Sequence, residues 1–154
     1  MYYEEEMYIL AIDPGANGGW VYQGGANTIC GKNSELARLT INARTNIVVE
    51  KVPPYVGKFI PSSAAFKLGY SYGWIVGKFH GYRTHHITPQ VWQKYLNIGT
   101  KGEQTTTQWK NRLKDEAIKL FPNQKRITLA TADAYLLLHY AIKNKLIQNE
   151  KRHS

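Results

Sequence analysis

Three acidic residues stand at joints where side chains from distant segments can meet. Asp13 closes the apolar run Tyr8-Ile9-Leu10-Ala11-Ile12 and opens the turn Asp13-Pro14-Gly15-Ala16-Asn17-Gly18-Gly19. Glu50 closes a second run, Ile47-Val48-Val49, and Asp133 heads the last apolar helix within Thr131-Ala132-Asp133-Ala134. Carboxylates drawn from separate elements supply the hard oxygen ligands that divalent cations need, with positions left for water and a substrate phosphate. Two such cations roughly 3.5–4 Å apart activate a water and stabilise the leaving oxygen of a phosphodiester. The chemistry these residues predict is metal-dependent phosphodiester hydrolysis. Asp13, Glu50 and Asp133 are its candidate catalytic residues and metal ligands.

The balance of charge fits a polyanionic partner. The chain has 154 residues, with 20 Lys and Arg against 11 Asp and Glu, a net charge of +9. Excess positive charge favours nucleic acid or another anionic surface. The length reads as one domain over residues 1–154, with 1–6 and 148–154 as frayed ends, and it suffices for a full core. Cys30 is the single cysteine, which excludes an internal disulfide and a cysteine-based zinc site and fits a reducing cytoplasm. Three glutamates at positions 4–6 do not read as a signal peptide, and no apolar run approaches the roughly 18–20 residues of a membrane span. His85-His86 is a poor zinc motif, because neighbours in a strand point to opposite faces. The glycine-rich turn after Asp13 lacks the lysine of a P-loop.

The elements that must position these carboxylates read as follows. Residues 7–12 form an almost fully apolar strand, buried on both faces. Residues 19–23 and 27–30 form a hairpin with it and with each other, turning at Gly24-Gly25. Leu36, Leu39 and Ala43 at helical spacing predict a helix over 34–43 with Ser34 as N-cap. Residues 47–51 form the next strand, ended by Pro53-Pro54. A longer helix follows Pro61-Ser62-Ser63 and stops near Gly81, and 84–87 form a weak strand. Thr88-Pro89 starts another helix with a cap and a proline in the first helical position. A polar loop over 97–104 precedes a charged helix over 107–121, and Thr131 caps the final helix, which runs to about residue 147. The order β-β-β-α-β-α-β-α-α predicts an α/β fold, a mixed five-stranded sheet with helices on both faces. This is the order of the ribonuclease H-like fold. In it the first and fourth strands are neighbours, so Asp13 and Glu50 end side by side, and the last helix brings Asp133 to the same edge.

At this point the chain resembles the RuvC-type Holliday junction resolvases, particularly their short phage-type relatives. The likeness spans most of residues 7–141. It rests on Ile9-Leu10-Ala11-Ile12-Asp13-Pro14-Gly15, Val49-Glu50, Phe66-Lys67-Leu68-Gly69 with Gly73, Thr88-Pro89-Gln90-Val91-Trp92 and Thr131-Ala132-Asp133-Ala134. The resemblance implies a homodimer that cleaves four-way DNA junctions with Mg2+, for which Mn2+ would substitute, in the cytoplasm of a cell or of a phage's host. It also implies that Asp13, Glu50 and Asp133 are three of the acidic ligands. These resolvases usually carry a fourth ligand, acidic or histidine, one helical turn before the final aspartate, where this chain has Ala130. Asp115 and Glu116 are the acids nearest to a substitute, and no spacing puts either there.

The helix after Pro61 has two apolar faces. Ala65, Leu68, Tyr72, Ile75, Val76 and Phe79 form one, and Phe66, Tyr70 and Trp74 the other. Gly69, Gly73, Gly77 and Gly81 recur along it every four residues. Each interior glycine costs about 1 kcal/mol of helix propensity relative to alanine, which favours close packing of another backbone. That backbone belongs either to the protein's own sheet or to a second copy across a two-fold axis. The resolvases pair through the corresponding helix, so Phe66, Gly69, Tyr70, Gly73, Trp74 and Gly77 are the candidate dimer interface. Candidate phosphate contacts are Lys94, Lys101 and Lys110, the last in a place resembling a basic position of the resolvases. Tyr55, in the loop after Glu50 with Phe59, is a candidate for stacking on an unpaired base at a branch point.

The leading functional expectation is therefore a structure-selective DNA endonuclease acting on four-way junctions. A broader nuclease of flaps, forks or RNA–DNA hybrids keeps the chemistry and changes the substrate. A junction-binding module that no longer cuts fits Ala130. A sugar-kinase-type ATPase shares the Asp-x-Gly strand end but needs two such domains, which this length does not supply.

Overall fold

The computed structural model describes residues 6–54, 60–144 and 146. Its elements in chain order are β1 (Tyr8–Ile12), β2 (Gly19–Gly24), β3 (Asn27–Lys32), a short 3-10 helix (Asn33–Arg38), β4 (Asn46–Glu50), α1 (Ser62–Lys78), β5 (Arg83–Ile87), α2 (Pro89–Leu96), α3 (Thr106–Leu120) and α4 (Ala132–Lys143). The five strands form one mixed sheet in the order β3-β2-β1-β4-β5. The pairs β1–β2 and β2–β3 are antiparallel, and β1–β4 and β4–β5 are parallel. The expected strand order and mixed α/β architecture are both present. Among the described residues no helix is long and apolar enough to cross a membrane.

The central strand is apolar throughout because both of its faces are covered. Ile9 and Ala11 pack on one side with Val48, Trp92, Leu113, Ala117 and the buried stretch of α4. Leu10 and Ile12 pack on the other with Ile47, Val49, Leu36, Ile75 and Phe79. Helices α2, α3 and α4 thus cover one face of the sheet, and α1 with the 3-10 helix covers the opposite one. Leu136, Leu137 and Leu138 of α4 are fully buried, and truncating a leucine so placed to alanine costs about 2–5 kcal/mol. Asp13 and Glu50 continue the side-chain alternation of Ala11 and Val48, so both project toward the α4 face.

Several local expectations give way to tertiary context. Residues 34–43 do not form an α-helix. The segment is a 3-10 helix, closed where the Leu39 amide donates to the Leu36 carbonyl at 3.2 Å. Leu36 and Leu39 are three apart, which suits the 3-10 repeat, and Ser34 caps nothing. The hairpin turns at Gly25-Ala26, because Gly24 still pairs with Tyr8 and Asn27. Thr131 precedes α4 without capping it. Its hydroxyl instead accepts from the Thr128 amide at 2.9 Å and donates to the Arg126 carbonyl at 3.3 Å. Helix α4 ends at Lys143, where both the amide and the side chain of Asn144 donate to the Tyr140 carbonyl. Helix α3 starts one residue early on a full capping box between Thr105 and Gln108. Of the expected frayed ends, 1–6 and 148–154, all but Glu6 lie outside the described residues.

In α1 the inward side is Ala65, Leu68, Ser71, Tyr72, Ile75 and Phe79, while Val76 faces outward. Among the described residues, a Cβ added to Gly69, Gly73 or Gly77 would meet nothing within 4 Å. The glycine line therefore does not lie against the protein's own sheet.

Candidate metal centre

The parallel pairing of β1 with β4 puts Ile12 opposite Val49. The next residues along, Asp13 and Glu50, leave the sheet at the same edge. Asp133, in the first turn of α4, arrives from the covering layer. Each of the three offers a carboxylate oxygen, and these oxygens lie within 4.8 Å of one another. All three residues keep a side open to solvent.

The turn that presents Asp13 is held from several directions. The Asp13 amide donates to the Gly19 carbonyl at 2.9 Å. The Asn33 side-chain amide donates to the Asp13 carbonyl at 2.7 Å and to the Gly15 carbonyl at 2.9 Å. Gly15 has φ +113°, a region costly for other residues, and its amide donates to the Ser71 hydroxyl of α1 at 3.0 Å. A side chain at Gly18 would strike the Asp13 carbonyl. Glu50 is fixed by the Trp92 indole, which donates to its Oε2 at 2.9 Å.

Burial and mutual repulsion dominate the electrostatics. Asp13 is pushed well above the usual carboxylate range, first by burial, then by the charges of Asp133 and Glu50, with Lys110 opposing. Glu50 is pushed up to about 7 by burial and by Asp133, against the Trp92 hydrogen bond. Burial raises Asp133 to about 6, with Lys110 again opposing. Three hard oxygen donors with unrelieved negative charge match Mg2+ or Mn2+ in ligand chemistry, and a cation among them would remove the repulsion.

Solved structures supply a match for this fold. Thermus thermophilus RuvC in complex with a Holliday junction substrate aligns with a TM-score of 0.51 and 14% identity, over 90% of this chain and 96% of that one. A second Thermus thermophilus RuvC structure aligns with a TM-score of 0.50 and 14% identity, over 90% of this chain and 97% of that one. The chain has the ribonuclease H-like fold. No family model matches the sequence, and no curated protein does. In ribonuclease H-like terms, the acidic cluster lies where the two parallel central strands end under the last helix.

The other predicted residues fall in different places. Lys110 lines the cavity of about 490 Å³ that holds Asp13 and Asp133. Lys94 is exposed in the last turn of α2, and Lys101 donates to the Thr106 hydroxyl at 3.1 Å. Neither lines that cavity. Tyr55 and Phe59 lie outside the described residues. Glu116 pairs with Lys119 at 3.6 Å, and with Asp115 it stands outside the acidic group. Phe66 and Tyr70 are exposed at 72% and 67%, with Trp74 beside them at 40%. With Lys67 they line a groove of about 610 Å³ next to the Asp13 turn. Sequence reasoning missed Trp92 as the partner of Glu50, Asn33 as the clamp on the turn, and Lys67, which lines both cavities. The signal for Trp92 was available: an indole on the helix that follows an edge strand needs an acceptor when buried.

Proposed function

We propose that this chain is a magnesium-dependent endonuclease that cleaves branched DNA, with four-way junctions as its preferred substrate. The observation that carries the reading is the meeting of Asp13, Glu50 and Asp133 within 4.8 Å, on a chain of net charge +9. A bound Mg2+, or Mn2+ in its place, would offset charge at the scissile phosphate and lower the pKa of a water enough to make a nucleophile available at neutral pH. Asp13, Glu50 and Asp133 would hold the cation, and Trp92 keeps Glu50 aimed and favours its ionised form. Lys110 and Lys67 flank the acids and draw DNA phosphates toward an otherwise repulsive cluster. Lys94 and Lys101 extend the basic surface, and Tyr55 stacks on an unpaired base at the branch.

The outer side of α1 supports pairing with a second copy. Phe66, Tyr70 and Trp74 lie exposed beside the open backbone of Gly69, Gly73 and Gly77, so another helix can approach closely. A symmetric junction needs cuts in two strands, and a two-fold dimer supplies two sites. The likeness to a protein solved with a Holliday junction substrate supports the choice of DNA. The test is a panel of labelled four-way junctions, flaps, forks, RNA–DNA hybrids and linear duplex, each with Mg2+. The proposal expects paired cuts in the junction and little in linear duplex. Equal cutting of flaps and forks would replace it with a general branched-DNA nuclease. Ala130, in place of a fourth ligand, favours one other reading, a junction-binding module. Tight binding without cleavage in both Mg2+ and Mn2+ would establish that instead.

A further inference from the structure

The Ala130 side of the centre carries charge of the wrong sign for a second cation. Ala130 lines a cavity of about 340 Å³ with Lys32, Lys110 and the turn after Asp13. Lys110, Leu129 and that turn also line the cavity holding Asp13 and Asp133, so the two adjoin. The first cavity sets Lys67 and Lys110 against Asp13 and Asp133, whereas the Ala130 cavity is lined by Lys32 and Lys110 and by no carboxylate. Lys110 lies close enough to both aspartates to favour their ionised forms. Lys32 ends β3 opposite Gly19, and its carbonyl accepts from the Trp20 indole at 2.9 Å. A Cβ on Gly19 would lie 2.5 Å from the Ala130 carbonyl oxygen. The end of the hairpin is therefore packed directly on the segment before α4, which brings Lys32 to the Ala130 side.

Charge then decides what this side can hold. Three carboxylates balance one divalent cation with a single negative charge left over. A second divalent cation would have to sit beside two ammonium groups with no fourth carboxylate to offset them. A phosphate oxygen meets the opposite situation, since ammonium groups are its natural donors. We infer that Lys32 and Lys110 form a phosphate subsite on the Ala130 side of the metal centre. The free protein then holds one divalent cation, and a DNA phosphate fills the place of the second. This rests on the reading of the chain as a metal-dependent nuclease.

The full chain titrated calorimetrically with Mn2+ should take up one ion per chain, and Ala130→Asp should take up two. Two ions bound by the unaltered chain would overturn the inference. The phosphate contact is read separately, from binding of a labelled four-way junction and a linear duplex in Ca2+ across a salt series. Lys32→Ala should flatten the slope of log affinity against log salt by about 1, the loss of one phosphate contact. Lys119→Ala, an exposed lysine paired with Glu116, should leave the slope unchanged. A wild-type slope in Lys32→Ala would remove Lys32 from the subsite and overturn the inference. Neither readout needs cleavage. A protein that binds one ion and shows the flattened slope but cuts nothing keeps the subsite and contradicts the nuclease reading alone.

Discussion

The indole nitrogen of Trp92 donates to Glu50 Oε2 at 2.9 Å and so ties α2 to the end of β4. Trp92 is itself fully buried in the core under α4. The orientation of one acidic residue is thereby coupled to the packing of the sheet. The same bond favours the ionised carboxylate against the burial that raises Glu50 to about 7. Trp92→Phe keeps most of the apolar volume and removes the donor. Loss of a bond to a ligand residue typically lowers metal affinity by about 10–100-fold. Mn2+ titration of Trp92→Phe should show a loss of that order, with the pH midpoint of binding moved upward.

Stability without a cation should fall as pH rises. The folded-state values of Glu50 and Asp133 are raised, to about 7 and about 6, from ordinary values of 4.5 and 3.8. Between those limits the folded protein binds more protons than the unfolded chain, so the slope of unfolding free energy against pH is negative. In EDTA, the melting temperature should drop from near pH 4.5 to pH 7.5 as these two groups ionise against their burial and, for Glu50, against the charge of Asp133. Saturating Mg2+ should restore it at pH 7.5 and do little at pH 4.5, where protons occupy the ligands. A flat melting profile in EDTA would mean that neither burial nor repulsion raises these carboxyls in the folded chain.

Asp13→Asn removes one of three crowded charges and one ligand. In EDTA at pH 8 it should melt above the wild type, by about 2–4 °C for each kcal/mol of relieved repulsion. In Mg2+ the order should reverse, because the wild type gains binding energy that the variant lacks. Calorimetric melts in both buffers provide the check.

Much of this centre was legible before any coordinates. Asp13 and Glu50 each follow an apolar run, and the order of elements makes those two strands parallel neighbours. Asp133 begins an apolar helix that has to cover the sheet. The capping box at Thr105 and Gln108 was missed, because the charged helix was started at 107, inside it. What lay hidden depends on side chains that meet across long stretches of chain. Asn33 reaches back 18 and 20 residues to the turn, and Trp92 reaches 42 residues to Glu50. Lys110 on α3 lines the cavity of the acids, whereas Lys94 on α2 and Lys101 in the loop between those helices do not, and composition is blind to that placement. The short helix after β3 was misjudged because Leu36 and Leu39 satisfy α and 3-10 spacing alike.

The open glycines of α1 give opposite results for the isolated chain and for a dimer. A Cβ at Gly73 meets nothing within 4 Å in the single chain. Gly73→Ala should therefore stabilise the monomer by about 1 kcal/mol through helix propensity. If a second helix packs against this line, the same methyl group should weaken the pair. Denaturant melts at low concentration, with sedimentation at micromolar concentration, should show a more stable chain that associates less. A wild-type chain that remains monomeric with and without DNA would dismiss the pairing.

The central claim is that Asp13, Glu50 and Asp133 share a divalent cation that cuts a DNA backbone. The most direct measurement is incubation of a mobile, end-labelled four-way junction with wild type and Asp13→Asn, with and without Mg2+, followed by a denaturing gel. The account predicts paired strand cuts only for the wild type with Mg2+, while Asp13→Asn still retards the junction in a native gel. Cleavage by Asp13→Asn at the wild-type rate, or wild-type cleavage that persists in EDTA, would contradict it.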